Sequence, residues 1–358
     1  MSIKNKINMK ILFDITHPGH VHLFKNVLWS LENKGHEILV TTLDKDITIK
    51  LLELYNIEHT DTSNKEIFGL IGKWGIRDFE IFKIARKFNP DILMGVLNPC
   101  TAHVATLLRK KSIIFNDTEH AKFAASITYP LTSTILTPSC FKKDLGAKQV
   151  SFNGFKELAY LHPNHFKPDP EVLDELNLNK DDKFIIMRMV AWRATHDIGE
   201  NGFGDIKEII KEIEDYGRIF VTSEAPLHKD FEKYRIKISP EKMHSLLAFA
   251  HMQIGESCTM ATEAGVLGVP SIHITSAAEL LGNFEELEKY GLVYTYTNQK
   301  HGLEKALELL KTKNLKNIWK MRREKLLKEK IDVTEFMVNF IENYPESFYE
   351  YQKTNENV

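Results

Sequence analysis

Short apolar runs recur along the chain, each followed by a turn and then by a stretch whose apolar positions fall three and four apart. The first run predicts a buried strand over 10–15. In the stretch over 20–33, Val21, Phe24, Leu28 and Leu31 share one face of a helix, and Gly35 is placed to end it. The same alternation predicts strands over 37–41, 91–96 and 112–115, with helices over 47–55 and 99–109. It resumes further on, with strands over 183–188, 218–222, 252–255 and 270–274 and helices over 204–213, 240–251 and 260–268. Strands that alternate with helices imply parallel pairing, because a crossover is needed to return to the same sheet edge. The piece over 161–170 carries Pro163, Pro168 and Pro170 and reads as a linker. From Gly302 onward Lys and Glu interleave, which predicts charged surface helices.

The expected class is therefore α/β. Two Rossmann-like parallel-sheet domains are expected, over 1–160 and 171–330, facing a central cleft. A C-terminal helix over 331–358 is available to pack back on the first domain. The 358 residues agree with two domains at about 150 residues each. Lys and Arg total 47 against 49 Asp and Glu, a net charge of −2, so nucleic acid is not an expected partner. No apolar run reaches the roughly 18 residues that span a bilayer. Cys100, Cys140 and Cys258 are scattered and odd in number, which fits reduced thiols in a cytoplasm and neither a disulfide framework nor a zinc site.

In open parallel sheets ligands sit beyond the carboxyl ends of strands, so the residues just after strands are the candidates. The first strand runs out through Asp14-Ile15-Thr16-His17-Pro18-Gly19-His20-Val21-His22. Gly19 lets the backbone turn tightly, and the helix start offers free N–H groups to an anion or to a hydroxyl losing its proton. His17 or His20 is a candidate general base; the alternative is that these histidines only cap and pack the first turn. Asn116-Asp117-Thr118-Glu119-His120 follows another strand. Asp117 or Glu119 could move protons with His120 tuning the charge, or Asp117 and Thr118 could form a helix N-cap.

The stretch from Gly255 to Gly265 is the most informative. Small residues around Ser257, Cys258, Thr259 and Met260 would let a phosphate approach the helix start. Glu263, about one turn further in, could accept hydrogen bonds from ribose hydroxyls. Arg188, Trp192, Arg193 and His196 sit after the first strand of the second domain. Arg193 is a candidate for the pyrophosphate, with Arg188 behind it. Ser223 and Glu224 follow a strand at the same edge. The full GxGxxG fingerprint is missing, which counts against a nicotinamide or flavin site. Asp44-Lys45-Asp46 has metal-like spacing but more simply caps the helix at Ile47. Gly69-Leu70-Ile71-Gly72-Lys73 lacks the Ser or Thr of a phosphate loop. Neither a metal nor a cofactor is expected.

The unit over 255–270 resembles the second domain of nucleotide-sugar enzymes of the GT-B fold, whose phosphate-binding loop and ribose-binding Glu match Ser257, Thr259 and Glu263. The opening over 14–22 resembles the first loop of that superfamily. Taken whole, including HPGHVHLFKNVLW and HPNHFKPDPEVLDEL, the chain resembles a prokaryotic, mostly archaeal family of predicted GT-B glycosyltransferases. It is also similar to the non-hydrolysing UDP-N-acetylglucosamine 2-epimerase. That enzyme's Asp-Ser-Gly-Gly, then Glu-Glu-Ala, is similar to 256–264, with Cys258 and Thr259 at the two Gly and Thr262 at the first Glu. Trp192 stands where the epimerase has a His, and the loop near 117–122 is shorter. The resemblance implies metal-independent transfer of a sugar from a nucleotide-diphosphate donor, such as a UDP-sugar, to an acceptor that is a glycan or lipid-linked. It places the protein in the cytoplasm, at or near the inner membrane face, in polysaccharide biosynthesis. Epimerisation is the alternative, and non-catalytic binding of a nucleotide-sugar or glycan the third.

Overall fold

The computed structural model describes residues 8–63, 70–189, 206–223, 227–275 and 281–355. The chain forms two units, Met1–Tyr160 with Ile331–Val358, and Leu161–Lys330. The first holds strands β1 (Lys10–Ile15), β2 (Glu37–Thr42), β3 (Thr60–Asp61), β4 (Ile92–Val96), β5 (Lys111–Phe115), β6 (Thr134–Pro138) and β7 (Gln149–Phe152). They pair in the order β3-β2-β1-β4-β5-β6-β7, and every ladder is parallel. The second unit holds β8 (Phe184–Met189), β9 (Arg218–Ser223), β10 (Met252–Gly255), β11 (Ser271–Ile274) and β12 (Val293–Tyr296). Their order is β12-β11-β10-β8-β9, again all parallel. The strand order reverses between β1 and β4 in one sheet and between β8 and β10 in the other. Crevices open at such reversals, because the chain departs in opposite directions on the two sides.

In β1, Ile11, Leu12, Phe13 and Ile15 are all wholly buried. A strand covered on both faces reads as a continuous apolar run, not as an alternating one. The helix Pro18–Asn33 buries Val21, Phe24, Leu28 and Leu31, the face read from spacing, and the Phe24 ring meets Phe13 edge-on at 5.3 Å. The strands β3, β6, β7 and β12 and the helix Leu70–Phe88 lie outside the apolar-run reading. Thr134–Pro138 and Gln149–Phe152 are too short and too polar to stand out. Ile81 and Ala85 of Leu70–Phe88 join Leu12, Leu93, Val104 and Ala105 in one buried cluster.

Two expected caps are corrected. Helix Thr48–Leu54 has Ile47 at its N-cap position with no side-chain cap, and Asp46 lies one residue earlier at φ +52°. Helix Lys122–Thr128 starts from Ala121, so Asp117 and Thr118 do not cap it. The expectation of charged terminal helices also fails beyond Lys330. Helix Val333–Glu342 buries Val333, Phe336, Met337, Val338, Phe340 and Ile341. It packs on Pro18–Asn33, with the Phe336 and Phe152 rings 5.1 Å apart. The Ala159 carbonyl accepts from both Asn26 Nδ2 (2.8 Å) and Thr334 Oγ1 (2.6 Å), so one buried oxygen ties the first helix to this late one.

In the second unit Gly255 ends β10 where a Cβ would lie 2.2 Å from the Arg188 carbonyl oxygen. Backbone cannot yield as a side chain can. Gly255→Ala is therefore expected to cost at least about 1–3 kcal/mol through overpacking, read as a fall in the urea midpoint. An unchanged midpoint would mean that β8 and β10 slide apart freely.

Candidate functional site

Each unit carries its candidate residues on the carboxyl edge of its own sheet. In the first, His17 is the N-cap of helix Pro18–Asn33, with Nδ1 accepting from the Gly19 N–H at 3.1 Å. His20 Nδ1 faces the Thr16 N–H and Oγ1, each at 3.4 Å. With Nδ1 turned to a backbone donor, each neutral ring carries its proton on Nε2 and presents an N–H. The two ring centres are 5.6 Å apart. Burial holds His20 well below its ordinary value near 6.5, and the charges of His17, Lys156 and Lys45 push the same way. It is therefore an uncharged donor at neutral pH.

Lys156, which follows β7, reaches across to Asp117, which follows β5, with Nζ 2.6 Å from Oδ2. Glu119 is buried; its Oε1 accepts from the Lys142 N–H at 3.3 Å, and its carbonyl accepts from Lys143 Nζ at 2.6 Å. Asn116 closes a turn on Thr118 and bonds Tyr129. Lys156 thus connects Asp117 to His20, which feels its charge and lies beside His17, while Glu119 turns to Lys142 and Lys143. His120, the expected tuning group, is exposed.

Beneath them lies an arrangement that spacing could not reveal. Asp14, wholly buried, accepts from Thr41 Oγ1 (2.8 Å), from Arg77 Nη1 (2.8 Å) and Nη2, and from Asn98 Nδ2. Burial works against charge on Arg77, but the Asp14 field and hydrogen bonds outweigh it and hold the guanidinium more firmly protonated than usual. Asn98 also caps helix Pro99–Leu108 by accepting from the Cys100 N–H at 3.0 Å. One carboxylate thus locks the ends of β1, β2 and β4 together directly under the His17 turn. Asp14 reads as the end of an apolar run, and Arg77 lies more than sixty residues away on a helix that the run pattern does not mark.

In the second unit the chain leaves β10 through Glu256, and Ser257 caps helix Cys258–Leu267 by accepting from the Met260 N–H at 3.4 Å. Cys258 is exposed, with Sγ 3.6 Å from His273 Nε2. Thr259 follows in the first turn and Met260 is buried. Glu263 is buried too, and its Oε1 lies 2.9 Å from Nε2 of the buried His244. His244 was not among the expected residues; it sits on the helix Met243–Phe249 with nothing in its spacing to mark it. On the neighbouring strands Arg188 Nη1 donates to Thr222 Oγ1 at 2.9 Å. Ser223 Oγ is buried without a hydrogen-bond partner among the described residues. Gly265 brings the helix against β12, with Val293 2.6 Å from where a Cβ would stand, and Gly268 ends it at φ +77°. Arg193, Glu224, Trp192 and His196 lie outside the described residues.

The chain has an α/β fold of the GT-B kind. It aligns with UDP-N-acetylglucosamine 2-epimerase from Neisseria meningitidis, solved bound to UDP-N-acetylglucosamine, at a TM-score of 0.66, with 13% identity over 93% of this chain and 99% of that one. It aligns with the glycosyltransferase SsfS6 of Streptomyces sp. SF2575 at a TM-score of 0.58, with 11% identity over 94% and 100% of the two chains. An uncharacterized protein of Methanocaldococcus jannaschii is 27% identical over 315 residues, covering 81% of this chain and 88% of its own length. Among the described residues no helix is long and apolar enough to cross a membrane. The family model described as "Protein of unknown function (DUF354)" matches residues 9–346, and the chain belongs to that family.

Proposed function

We propose that the protein is a glycosyltransferase that takes a sugar from a nucleoside-diphosphate donor. The observation that carries this reading is the unit Ser257–Glu263 at the strand-order reversal of the second sheet. There a capped helix start directly follows β10 and a buried carboxylate stands one turn in. Helix-start N–H groups and the dipole suit a diphosphate, and Arg188, together with Arg193, would supply positive charge in place of a metal. Glu263, held by His244, would accept from the ribose hydroxyls.

The first unit would present the acceptor. With both histidines carrying their proton on Nε2, they suit hydrogen bonding to an oxygen more than proton removal. Asp117 is acceptor-only and is the better candidate for the base, with Lys156 fixing its position. Leaving-group departure needs no further acid, because a nucleoside diphosphate is stable as an anion.

Calorimetry with UDP, GDP and other nucleoside diphosphates tests the reading; no binding to any of them would reject it. Glu263→Ala is expected to weaken nucleotide binding by about 1–3 kcal/mol, the cost of lost hydrogen bonds. Equal affinity would remove Glu263 from the site.

A second reading, epimerisation at the sugar's second carbon, draws on two carboxylates, Asp117 and the buried Glu119, that follow β5 two residues apart. Proton NMR of UDP-N-acetylglucosamine in deuterated buffer separates the two. Exchange at that carbon without an acceptor would favour the epimerase.

A further inference from the structure

We propose that the outer face of helices Leu70–Phe88, Pro99–Leu108 and Lys122–Thr128 docks on an anionic lipid bilayer. Helix Leu70–Phe88 turns Arg77, Ile81 and Ala85 inward. On its other side Phe79 is 56% exposed, with Lys83, Arg86 and Lys87 exposed beside it. Lys83 Nζ lies 4.2 Å above the Phe79 ring, and these residues line a groove with Phe82.

Apolar exposure continues across the neighbouring elements. Leu107 on Pro99–Leu108 is 66% exposed. His103, one turn before it, is bonded to Asp78 at 2.8 Å, which fixes the two helices side by side at the level of Phe79. Thr106 Oγ1 donates to the Leu131 carbonyl at 3.2 Å, bringing the exposed Leu131 alongside. Helix Lys122–Thr128 packs on Pro99–Leu108 and leaves Phe123 58% exposed. Single exposed apolar side chains are ordinary, but a run of large ones over adjacent elements needs a partner.

Charge decides which partner. Arg109 and Lys122 are exposed on the same elements and extend the basic set. Of the acidic groups on this face, Asp78 is engaged with His103 at 2.8 Å and Glu80 offsets Lys83 at 3.0 Å, which leaves Arg86, Lys87, Arg109 and Lys122 as the surplus. The chain as a whole carries a net charge of −2, so the basic surplus is local. Aromatic and aliphatic side chains set among Lys and Arg fit a surface that is apolar inside and anionic outside. A second copy fits poorly, because a two-fold contact would set Lys83, Arg86 and Lys87 against their own counterparts. The proposal is independent of the glycosyl-transfer reading.

The test is sedimentation of the full chain with vesicles of phosphatidylcholine alone or mixed with phosphatidylglycerol. Binding to the mixed vesicles only, weakening as salt rises, is expected. The triple variant Lys83→Gln, Arg86→Gln, Lys87→Gln should lower partitioning about a hundredfold, at about fivefold per basic residue. Phe79→Ser with Leu107→Ser should lower it at least about tenfold. Near-ultraviolet dichroism checks that each variant is folded. No preference for anionic vesicles, or partitioning that neither variant changes, would overturn the proposal. So would ultracentrifugation showing a dimer that these variants dissociate.

Discussion

Arg77→Met is expected to lower the free energy of unfolding by about 3–5 kcal/mol, the usual loss when one partner of a buried ion pair is removed. Asp14 is wholly buried and takes two of its hydrogen bonds from the Arg77 guanidinium. Without them it keeps only Thr41 and Asn98, too few to replace water around a full negative charge. Asp14→Leu alone should cost as much, by stranding the guanidinium. The double variant Asp14→Leu, Arg77→Met should lose less than the sum, because no buried charge is left uncompensated. Urea unfolding of the four proteins measures the coupling. Additive losses would show that the pair contributes nothing specific. The loop that presents His17 and His20 begins two residues after Asp14, so the single variants should also weaken whatever the first unit binds.

Legibility from the sequence follows from what apolar patterning can carry. The strands β1, β4, β5, β8, β10 and β11 are buried almost throughout, and β2 and the edge strand β9 keep apolar centres, so their residues form runs that stand out without tertiary knowledge. Thr60–Asp61, Gln149–Phe152 and Val293–Tyr296 are edge strands, where Thr, Gln and Tyr are tolerated and the run breaks, and Thr134–Pro138, though buried throughout, is broken by two Thr and a Pro. The helix after β10 is legible because small residues and a following carboxylate are local in sequence, though the spacing starts it at 260 where the structure starts it at Cys258 with Ser257 as its cap. The Asp14–Arg77–Asn98 and Glu263–His244 contacts were not, since each joins residues from separate elements that only the sheet order brings together. Asp117 shows the same limit. Its place after a strand marked it, but a helix cap was a fair local alternative until Lys156 arrived from the end of β7.

Acid should weaken the fold well before the carboxylates titrate. His273 is almost wholly buried, stacked on Phe284 with ring centres 4.3 Å apart and with Cys258 Sγ against its edge. Burial pulls it down to about 4, with only a Glu256 backbone contact acting the other way. His251 is likewise pulled to about 4, by burial first and then by the charges of Lys183 and Lys316. In the unfolded chain both titrate near 6.5. Above that value neither state is protonated and the stability is fully present. As pH falls below it, the unfolded chain takes up protons that the folded chain refuses, so stability drops until the folded values are reached. Each histidine contributes a slope of up to about 1.4 kcal/mol per pH unit, or about 3 kcal/mol over the whole interval. His20, also held low by burial, adds to the same window from the first unit. Unfolding free energies measured in urea between pH 7.5 and 5 should fall accordingly, and His273→Phe, which keeps a ring against Phe284, should flatten the curve. An unaltered slope in that variant would mean that His273 is protonated in the fold. His273 touches Cys258 at the first turn of the helix proposed to hold the diphosphate, but in the folded unit it takes up its proton only as pH nears 4, so that helix start should keep its form through the first part of the stability loss. Nucleotide affinity of the folded protein should therefore hold to a lower pH than stability does.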